Sequence, residues 1–389
     1  MNYRFPLATS SWDEEEISAL HRVIESDRYS MGNEVAEFEE QFSNYLGSKY
    51  AVMVNSGSSA NLLMTAALIF TNNAALKLKR GDEIIVPAVS WPTTYYPLSQ
   101  YGLHLKFVDI DHNTLNYDLE ALASAVSGNT KAIMVVNLLG NPNDFDQIES
   151  IIRGRDIVII EDNCESLGAR FNGKQAGTFG VMGTFSLFFS HHISTMEGGI
   201  IATDDEELYH ILLTLRAHGW TRNLPTENRV TGTKSTDLFE ESFRFVLPGY
   251  NVRPIEMSGA LGKTQLSKLP ELIQGRRKNG ELFTTAMEKH PLFRIQKEVG
   301  TSSWFGFSLV LRSDSDLDRK KIVKRLNILG FECRPIVGGN FANSEVMKYI
   351  DHSVHGELLN AEYIDKFGLF IGNHHYPIED AIGTLVTLN

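Results

Sequence analysis

Two adjacent histidines, His191 and His192, lie between Ser186 and a Glu197-Gly-Gly sequence. An imidazole takes and returns a proton near neutral pH, but unlike a primary amine it forms no stable imine with an aldehyde. Neighbouring side chains of an extended segment point to opposite sides, so we expect at most one of the two to face a reaction site. The pair is therefore a candidate acid–base group. A histidine that is merely hydrogen-bonded in the core is the alternative.

A second candidate is the segment Asn55-Ser-Gly-Ser-Ser-Ala-Asn61, which follows a strand-like run and opens a helical pattern. Its small residues would let backbone N–H groups and hydroxyls face an anion at a helix N-terminus. Many turns between strand and helix are rich in Gly and Ser, so this pattern alone is a weak indication of a phosphate site.

Acidic and aromatic side chains follow two further strand-like runs. In Ile159-Ile-Glu-Asp162-Asn-Cys-Glu165 an apolar strand leads into carboxylates. A strand-end carboxylate can simply cap the next helix, or it can hold a proton on the ring nitrogen of a bound cofactor. Trp91 also follows a strand end, where it is either a core residue or a surface on which a flat ring stacks.

Two polar residues near the C-terminal half have ordinary alternatives as well. Asn251 lies in Gly249-Tyr-Asn, which by itself is a common turn sequence. Arg334 can clamp a substrate carboxylate in bidentate fashion, or it can be a surface arginine. Both interpretations of each residue stay open at this point.

The elements that must position these side chains alternate between helical periodicity and short β-rich runs. The runs are 49–55, 82–87, 104–109, 131–137 and 157–161. This alternation predicts an α/β fold with a largely parallel sheet, whose ligand sites lie beyond the carboxyl ends of the strands. Asn55, Asn137 and Asp162 are placed at such ends.

Beyond residues 248–254 the pattern changes. We expect a helix from Ile255 to Leu269, a strand at Trp304–Leu311 and a helix from about Asp316 to Leu329. These elements predict a smaller C-terminal α+β domain. The boundary falls within a few residues of 265, giving a cofactor-binding domain with an N-terminal arm at 1–265 and a small domain at 266–389.

Length and composition restrict the classes of function. The chain has 389 residues, more than one core usually holds, and a net charge of −12 without a Lys/Arg-rich tract, which argues against a nucleic-acid partner. Two cysteines, Cys164 and Cys333, cannot form a four-thiolate iron–sulfur or zinc site, and we expect no metal. The chain has no apolar run of about 20 residues and its first residues lack a signal-like apolar stretch. We therefore expect a cytoplasmic protein with no membrane partner.

From Pro6 to His374 these segments resemble the pyridoxal phosphate-dependent sugar aminotransferases, which are fold-type I enzymes of the aspartate aminotransferase superfamily. In those enzymes a lysine that binds the cofactor follows the serine that matches Ser186 by five residues, and His191 takes its place here. The sequences around Ser190-His-His-Ile, 216–225 and 241–251 are similar to the branch of the family that carries histidine instead of lysine and removes a sugar hydroxyl.

The resemblance also implies roles for individual residues. His191 is the catalytic base, Asp162 faces the pyridine nitrogen, and Glu165 reaches the ring hydroxyl or the base, where its charge would raise the pKa of the imidazole. His192 falls where relatives carry a polar residue. The remaining assignments are Gly57, Ser58 and Ser186 for the cofactor phosphate, Trp91 for stacking, Asn251 for the partner's cofactor phosphate in an obligate homodimer, and Phe243, Arg253 and Arg334 for substrate.

The implied reaction uses pyridoxal phosphate and pyridoxamine phosphate bound without a lysine, with L-glutamate as amino donor. The C3 hydroxyl of GDP-4-keto-6-deoxymannose leaves as water, and 2-oxoglutarate and ammonia are released, on the route to 3,6-dideoxyhexoses such as colitose in lipopolysaccharide O-antigen. One alternative is a sugar aminotransferase, although Lys174 and Lys234 do not occupy the lysine position. An iron–sulfur-dependent dehydratase is excluded by the cysteine count, and a non-catalytic cofactor-binding protein remains a further alternative.

Overall fold

The computed structural model describes residues 3–312 and 318–388. Its helices are α1 (Glu14–Ser26), α2 (Asn33–Leu46), α3 (Gly57–Phe70), α4 (Pro92–Gln100), α5 (Leu119–Ala125), α6 (Phe145–Ile152), α7 (Glu206–Arg216), α8 (Leu238–Ser242), α9 (Glu256–Met287), α10 (Arg319–Ile328), α11 (Leu359–Phe367) and α12 (Glu379–Val386). Its strands are β1 (Tyr50–Val54), β2 (Glu83–Pro87), β3 (His104–Val108), β4 (Thr130–Val136), β5 (Val158–Asp162), β6 (Arg170–Phe171), β7 (Lys174–Gln175), β8 (Met182–Ser186), β9 (Gly199–Thr203), β10 (Glu227–Asn228), β11 (Gly232–Thr233), β12 (Phe293–Arg294), β13 (Gly306–Leu311), β14 (Cys333–Arg334), β15 (His352–Val354) and β16 (Gly368–Gly372). Short 3₁₀ turns lie at Leu138–Gly140, Phe341–Asn343 and Glu345–Tyr349.

A large mixed sheet forms the centre of the molecule, with strand order β1-β9-β8-β5-β4-β2-β3-β15. The pairs from β8 to β15 are parallel, whereas β9 is antiparallel to both of its neighbours. All five predicted strands are present within one or two residues of their expected limits. The predicted α/β fold with a largely parallel sheet is therefore confirmed.

Helices cover both faces of this sheet. Strands β5 and β8 are buried along their whole length, as expected for sheet strands with helices on either side. One face packs against α3, α4 and α7, and the other against α2, α9, α5 and α6. The carboxyl ends of the central strands are consequently held in a fixed arrangement, and the loops that follow them form one rim.

Helix α9 is much longer than predicted. We expected it to end at Leu269, before Pro270, but it continues to Met287 with Pro270 inside it. Buried residues on both sides of the proline hold the helix together: Leu269 and Ile273 pack under the large sheet, while Phe283 and Met287 enter a separate C-terminal core. Tertiary packing thus outweighs the missing backbone hydrogen bond at the proline.

The C-terminal core surrounds an antiparallel sheet of order β12-β13-β16-β14. The predicted strand at 304–311 is present as β13, and the predicted helix near 316–329 is present as α10, with residues 316 and 317 outside the described part of the chain. Strand β15 returns to the edge of the large sheet beside β3. A domain boundary near residue 265 stays a prediction, since α9 runs across that position.

Among the residues that the structure describes, no helix combines the length and the apolar character that crossing a membrane requires.

Candidate active site

Asp162 ends β5 and is held by hydrogen bonds to both carboxylate oxygens. Its Oδ2 accepts from Asn61 Nδ2 at 2.8 Å and from Thr94 Oγ1 at 2.7 Å, and its Oδ1 accepts from the backbone N–H of Cys164 at 3.1 Å. Thr184 in turn donates to Asn61 Oδ1 at 2.6 Å. The side chain is 5% exposed. Donors from α3, α4 and the strand end therefore fix the orientation of this carboxylate.

Gly57, Ser58 and Ser186 lie together where α3 begins. Ser56 caps the helix by accepting the Ser59 N–H at 3.1 Å, and the first N–H groups of a helix have no partner within it. A Cβ on Gly57 would lie 2.7 Å from Ser186 Cβ and 2.9 Å from Cys164 Sγ, so only glycine fits. The result is a small cradle of N–H and hydroxyl groups at a helix N-terminus, suited to a phosphate.

Trp91 lies beside this cradle. It immediately precedes α4, and its side chain is 57% exposed, which is unusual for a tryptophan in the core. The next residues tie it to the cradle, because Thr93 Oγ1 shares a hydrogen bond of 2.9 Å with Ser58 Oγ and the Thr93 carbonyl accepts from Asn61 Nδ2 at 3.3 Å. The indole thus belongs to the same rim as Asp162 and is open to a planar ligand.

Glu165 lies on the other side of Asp162. Its Oε2 accepts the backbone N–H of Leu139 at 2.9 Å, and Leu139 adopts a left-handed conformation with φ of 55°. Burial raises the pKa of Glu165 to about 7, and the nearby Asp162 charge acts in the same direction, while the Leu139 hydrogen bond opposes them. This carboxyl group can therefore donate or accept a proton near neutral pH.

His191 and His192 have different environments. His192 is 1% exposed, and its Nε2–H donates to the carbonyl of Ser303 at 3.1 Å. His191 is partly buried, and its ring lies 5.1 Å from that of Phe305. Within the described part of the chain, the buried Nδ1 of each histidine has no hydrogen-bond partner. His192 is therefore buried and tied to Ser303, whereas His191 is the histidine with an exposed part.

The loop that carries the histidines is not extended as we expected. The backbone N–H of His191 turns back to the carbonyl of Phe188 at 2.9 Å, and Leu187 pairs with both Thr195 and Gly198 across the loop. The loop joins the antiparallel strands β8 and β9, so it must reverse direction. The environments of the two rings differ because their neighbours differ, and not because side chains alternate along a strand.

The expectation that Glu165 raises the pKa of the imidazole is wrong. Burial lowers the pKa of His191 to about 4, and the positive charge of Arg276 acts in the same direction, with a smaller opposing effect from the Phe188 carbonyl. At pH 7 the imidazole is therefore neutral, which is the form that accepts a proton.

Asn251, Phe243 and Arg253 form a second group around Trp220. Arg253 Nε donates to Asn251 Oδ1 at 3.0 Å, and the Arg253 guanidinium lies 5.4 Å from the Trp220 ring centre. Arg222 lies between the rings of Trp220 and Phe243, at 4.1 and 5.5 Å, and Phe243 is 66% exposed. The Val252 carbonyl accepts the Asn55 N–H at 3.0 Å, which joins this group to the phosphate cradle.

Arg334 lies in β14 at the edge of the C-terminal sheet. Its side chain is 66% exposed and pairs with Glu332 at 3.5 Å. The contacts of the described residues do not join it to the groups around Asp162 or Trp220. Its role toward a substrate carboxylate stays a prediction.

Several residues of this site were not predicted from the sequence. Asn61 closes the small-residue segment, and Thr94 follows Trp91 by three positions, so both had a signal in the motifs. Leu139, Phe305 and Arg276 had none, because they approach from distant parts of the chain. Among the described residues, no group of three or more His, Cys, Asp or Glu side chains is arranged to hold a metal ion.

The chain is similar to known proteins over nearly its whole length. Residues 10–377 match the model of the DegT/DnrJ/EryC1/StrS aminotransferase family. The chain is 62% identical over 385 residues to the GDP-4-keto-6-deoxy-D-mannose 3-dehydratase of Yersinia pseudotuberculosis, covering 99% of this chain and 98% of the relative.

Two crystal structures of GDP-4-keto-6-deoxymannose-3-dehydratase are also similar, each with a TM-score of 0.97 and 62% identity over 98% of this chain and 99% of theirs. One contains a trapped PLP-glutamate geminal diamine, and the other is a histidine-to-asparagine variant with bound GDP-perosamine. The resemblance predicted from the motifs is confirmed: the chain belongs to the DegT/DnrJ/EryC1/StrS aminotransferase family.

Proposed function

We propose that this protein is a pyridoxal phosphate-dependent 3-dehydratase that removes the C3 hydroxyl of GDP-4-keto-6-deoxymannose, with L-glutamate as amino donor. The product is GDP-4-keto-3,6-dideoxymannose, a precursor of 3,6-dideoxyhexoses such as colitose in O-antigen. The observation that carries the proposal is an imidazole, His191, packed 5.1 Å from the Phe305 ring at a family position that otherwise holds a lysine. Burial lowers its pKa to about 4, so it is neutral at pH 7.

The residues present fit pyridoxal phosphate. The cradle of Gly57, Ser58 and Ser186 offers N–H and hydroxyl groups at a helix N-terminus, and Ser186 can lie this close to the helix only because residue 57 lacks a side chain. Asp162 is a carboxyl group fixed in orientation and suited to hold a proton on a pyridine nitrogen, and Trp91 offers an open aromatic face. When bound in its amine form, this cofactor supplies an amine for the sugar ketone and a ring that stores electrons.

His191 would move the protons of the reaction. Its neutral form accepts a proton from carbon during the reaction, and the imidazolium formed can donate that proton to the departing C3 hydroxyl, which leaves as water. Glutamate loses two electrons in becoming 2-oxoglutarate, its nitrogen leaves as ammonia, and the sugar gains those electrons in losing its hydroxyl. Atoms and electrons therefore balance without an external reductant.

The lysines nearest in sequence support a dehydratase over an aminotransferase. Lys174 Nζ lies over the Phe179 ring at 4.6 Å, and Lys234 Nζ donates to the carbonyl of Leu224 at 2.7 Å. Both amines are thus engaged in contacts outside the histidine loop. A lysine at position 191 could recapture the cofactor and complete an amino sugar, but His191 cannot.

The comparisons favour a GDP-linked sugar. The Yersinia relative acts on GDP-4-keto-6-deoxy-D-mannose, one of the similar structures binds GDP-perosamine, and another holds a glutamate adduct. A near-identical fold and a chain 62% identical to these proteins support the same substrate and amino donor here.

We further propose that the protein acts as a homodimer with shared active sites. Asn251 is exposed beside the phosphate cradle, and the apolar side chains of Leu238, Phe239 and Phe243 are 82%, 85% and 66% exposed in the same region. Mixing equal amounts of an inactive His191→Gln protein and an inactive Asn251→Ala protein tests this. About half of the dimers are then mixed, and each mixed dimer has one intact shared site, so the mixture should regain about a quarter of the wild-type activity. No recovery after subunit exchange would show that each chain completes its own site.

A cytoplasmic location also stays a prediction.

The function is tested by incubating the protein with pyridoxal phosphate, glutamate and the GDP-, CDP-, UDP- and dTDP-linked 4-keto-6-deoxyhexoses side by side. We expect 2-oxoglutarate and ammonia in equal amounts, with a 3-deoxy sugar formed from the GDP compound. A stable 4-amino sugar would instead identify an aminotransferase. Bound cofactor that glutamate does not convert would identify a non-catalytic binding protein.

A further inference from the structure

Arg276 is a buried cation in the middle of α9. Its side chain is 7% exposed, and Nη1 donates to the carbonyl oxygens of Phe305 at 3.1 Å and Asn373 at 2.8 Å. Its buried Nε has no partner in residues 3–312 and 318–388. Among the described residues, no carboxylate forms an ion pair with it. Burial lowers the pKa of Arg276 to about 10, so it remains charged at pH 7.

Phe305 connects this cation to the histidine loop. Its carbonyl is held by Arg276, its N–H donates to the Leu139 carbonyl at 3.0 Å, and its ring lies 5.1 Å from His191 and 5.9 Å from His192. The backbone of Phe305 is thus fixed from both sides. Because the ring packs on His191, Arg276 holds the surface against which the imidazole rests.

We propose that Arg276 is a positioning residue that keeps His191 unprotonated and fixes its ring through Phe305. This inference rests on the proposed function, in which His191 accepts a proton. A buried cation without a counterion opposes a second positive charge nearby, so it favours the neutral imidazole. Arg276 thereby supplies a proton acceptor at neutral pH in a site where a carboxylate partner would do the opposite.

The charged and titratable groups around the histidines come from several elements. Arg276 and Arg277 belong to α9, His374 follows β16, and His192 is the loop neighbour of His191. Burial is the largest cause that lowers the pKa of His191, His192 and His374, and the charge of Arg276 acts in the same direction on all three, whereas Arg277 adds to the effect at His192. On the sheet side, Glu165 is bonded to Leu139, not to the imidazole.

The test is the titration of His191 in the full chain without added cofactor. Histidine-selective ¹⁵N labelling reports the protonation state of each ring, and the His191 signal is assigned by its loss in His191→Gln. We expect wild-type His191 to stay neutral from pH 5.5 to 8.5. In Arg276→Met its midpoint should rise by roughly one pH unit or more, while in Arg276→Lys, which keeps a positive charge, it should stay low.

Arg277→Met is the matched control. Arg277 is the next residue of the same helix. It also donates to a backbone carbonyl, from Nε to the Ser302 oxygen at 3.0 Å. Its loss should leave the His191 midpoint unchanged. Arg276→Gln removes the charge but keeps N–H donors for the carbonyls, and it replaces Arg276→Met if circular dichroism shows that the latter is unfolded.

A His191 midpoint in folded Arg276→Met or Arg276→Gln equal to that of wild type would overturn the proposal, as would an equal rise in Arg277→Met. In the active enzyme we expect Arg276→Gln to move the acidic limb of the kcat profile to higher pH with little change in KM for the sugar. The titration of His191 is measured without turnover, so it gives the same result whether or not the protein is a dehydratase. A failure of the proposed function can therefore be told apart from a failure of this inference.

Discussion

The two halves of the candidate site differ in the hydrogen bonds that hold their functional groups. Asp162 accepts three hydrogen bonds, from Asn61, Thr94 and Cys164, and both of its oxygens take part. His191 is partly buried, and its Nδ1 has no partner among the described residues. Three donors hold the carboxylate and leave one acceptor position on Oδ1, whereas the imidazole is not held by a comparable set of donors.

This difference follows from what each group has to do. A carboxylate that holds a proton on a ring nitrogen must stay in place, and fixed donors achieve this. A base must be free to change its protonation state, so any strong partner would compete with the proton it accepts. The sequence provides partners accordingly, with neutral donors around Asp162 and a buried cation, Arg276, near His191.

Replacing the imidazole should have the largest effect. We expect His191→Lys to lose 3-dehydration by about 10²- to 10⁴-fold, the usual contribution of a positioned acid or base. The new amine should bind the cofactor covalently, which a mass measurement after borohydride reduction would detect. Ser190→Asn, a change at the preceding residue, is the matched control and should remain non-covalent. Full dehydratase activity in the lysine variant would remove His191 from the proton-transfer role.

Removing the carboxylate charge of Asp162 should have the next largest effect. Asp162→Asn keeps the size of the side chain but loses the ion, and we expect kcat to fall roughly 10- to 200-fold, since hydrogen bonds to charged groups contribute about 1.5–3 kcal/mol. Thr94→Val removes only one of the three donors and should cost about tenfold or less. Unchanged turnover in Asp162→Asn would discard its assignment to the ring nitrogen.

Glu165 follows Asp162 by three residues and is bonded to Leu139, and its effect should appear in the pH dependence. Because its pKa is raised to about 7, we expect an inflection near pH 7 in the kcat profile that is absent in Glu165→Gln. The raised pKa also affects folding: the contribution of Glu165 to stability is fully present below its unfolded pKa, near 4.5, and is lost as the pH rises through about 7. Above pH 7 the free energy of unfolding of Glu165→Gln, measured by urea denaturation, should therefore exceed that of the wild type by roughly 1–3 kcal/mol. An identical inflection in both proteins would assign it to another group.

The comparison also shows which features a sequence can reveal. Strand ends and the groups on them, such as Asp162 and the Gly57 cradle, were predictable because a buried apolar run and the polar residue that follows it are contiguous. The state of His191 was not, because its environment comes from Phe305 and Arg276, far along the chain. For the same reason the length of α9 was missed: Pro270 is a local signal, and the packing of Phe283 that outweighs it is not.

The smallest effect is expected at Arg334, the predicted site residue without a contact to either half. If it binds the glutamate carboxylate, Arg334→Ala should raise KM for glutamate several-fold and leave kcat and KM for the sugar unchanged. Its exposed ion pair with Glu332, at 3.5 Å, contributes little to stability, on the order of 0–1 kcal/mol, so the variant should fold normally. Glu332→Gln breaks the same pair without removing the guanidinium and serves as the control. An unaltered KM for glutamate in Arg334→Ala would make Arg334 a surface residue and confine the catalytic groups to the rim around Asp162 and His191.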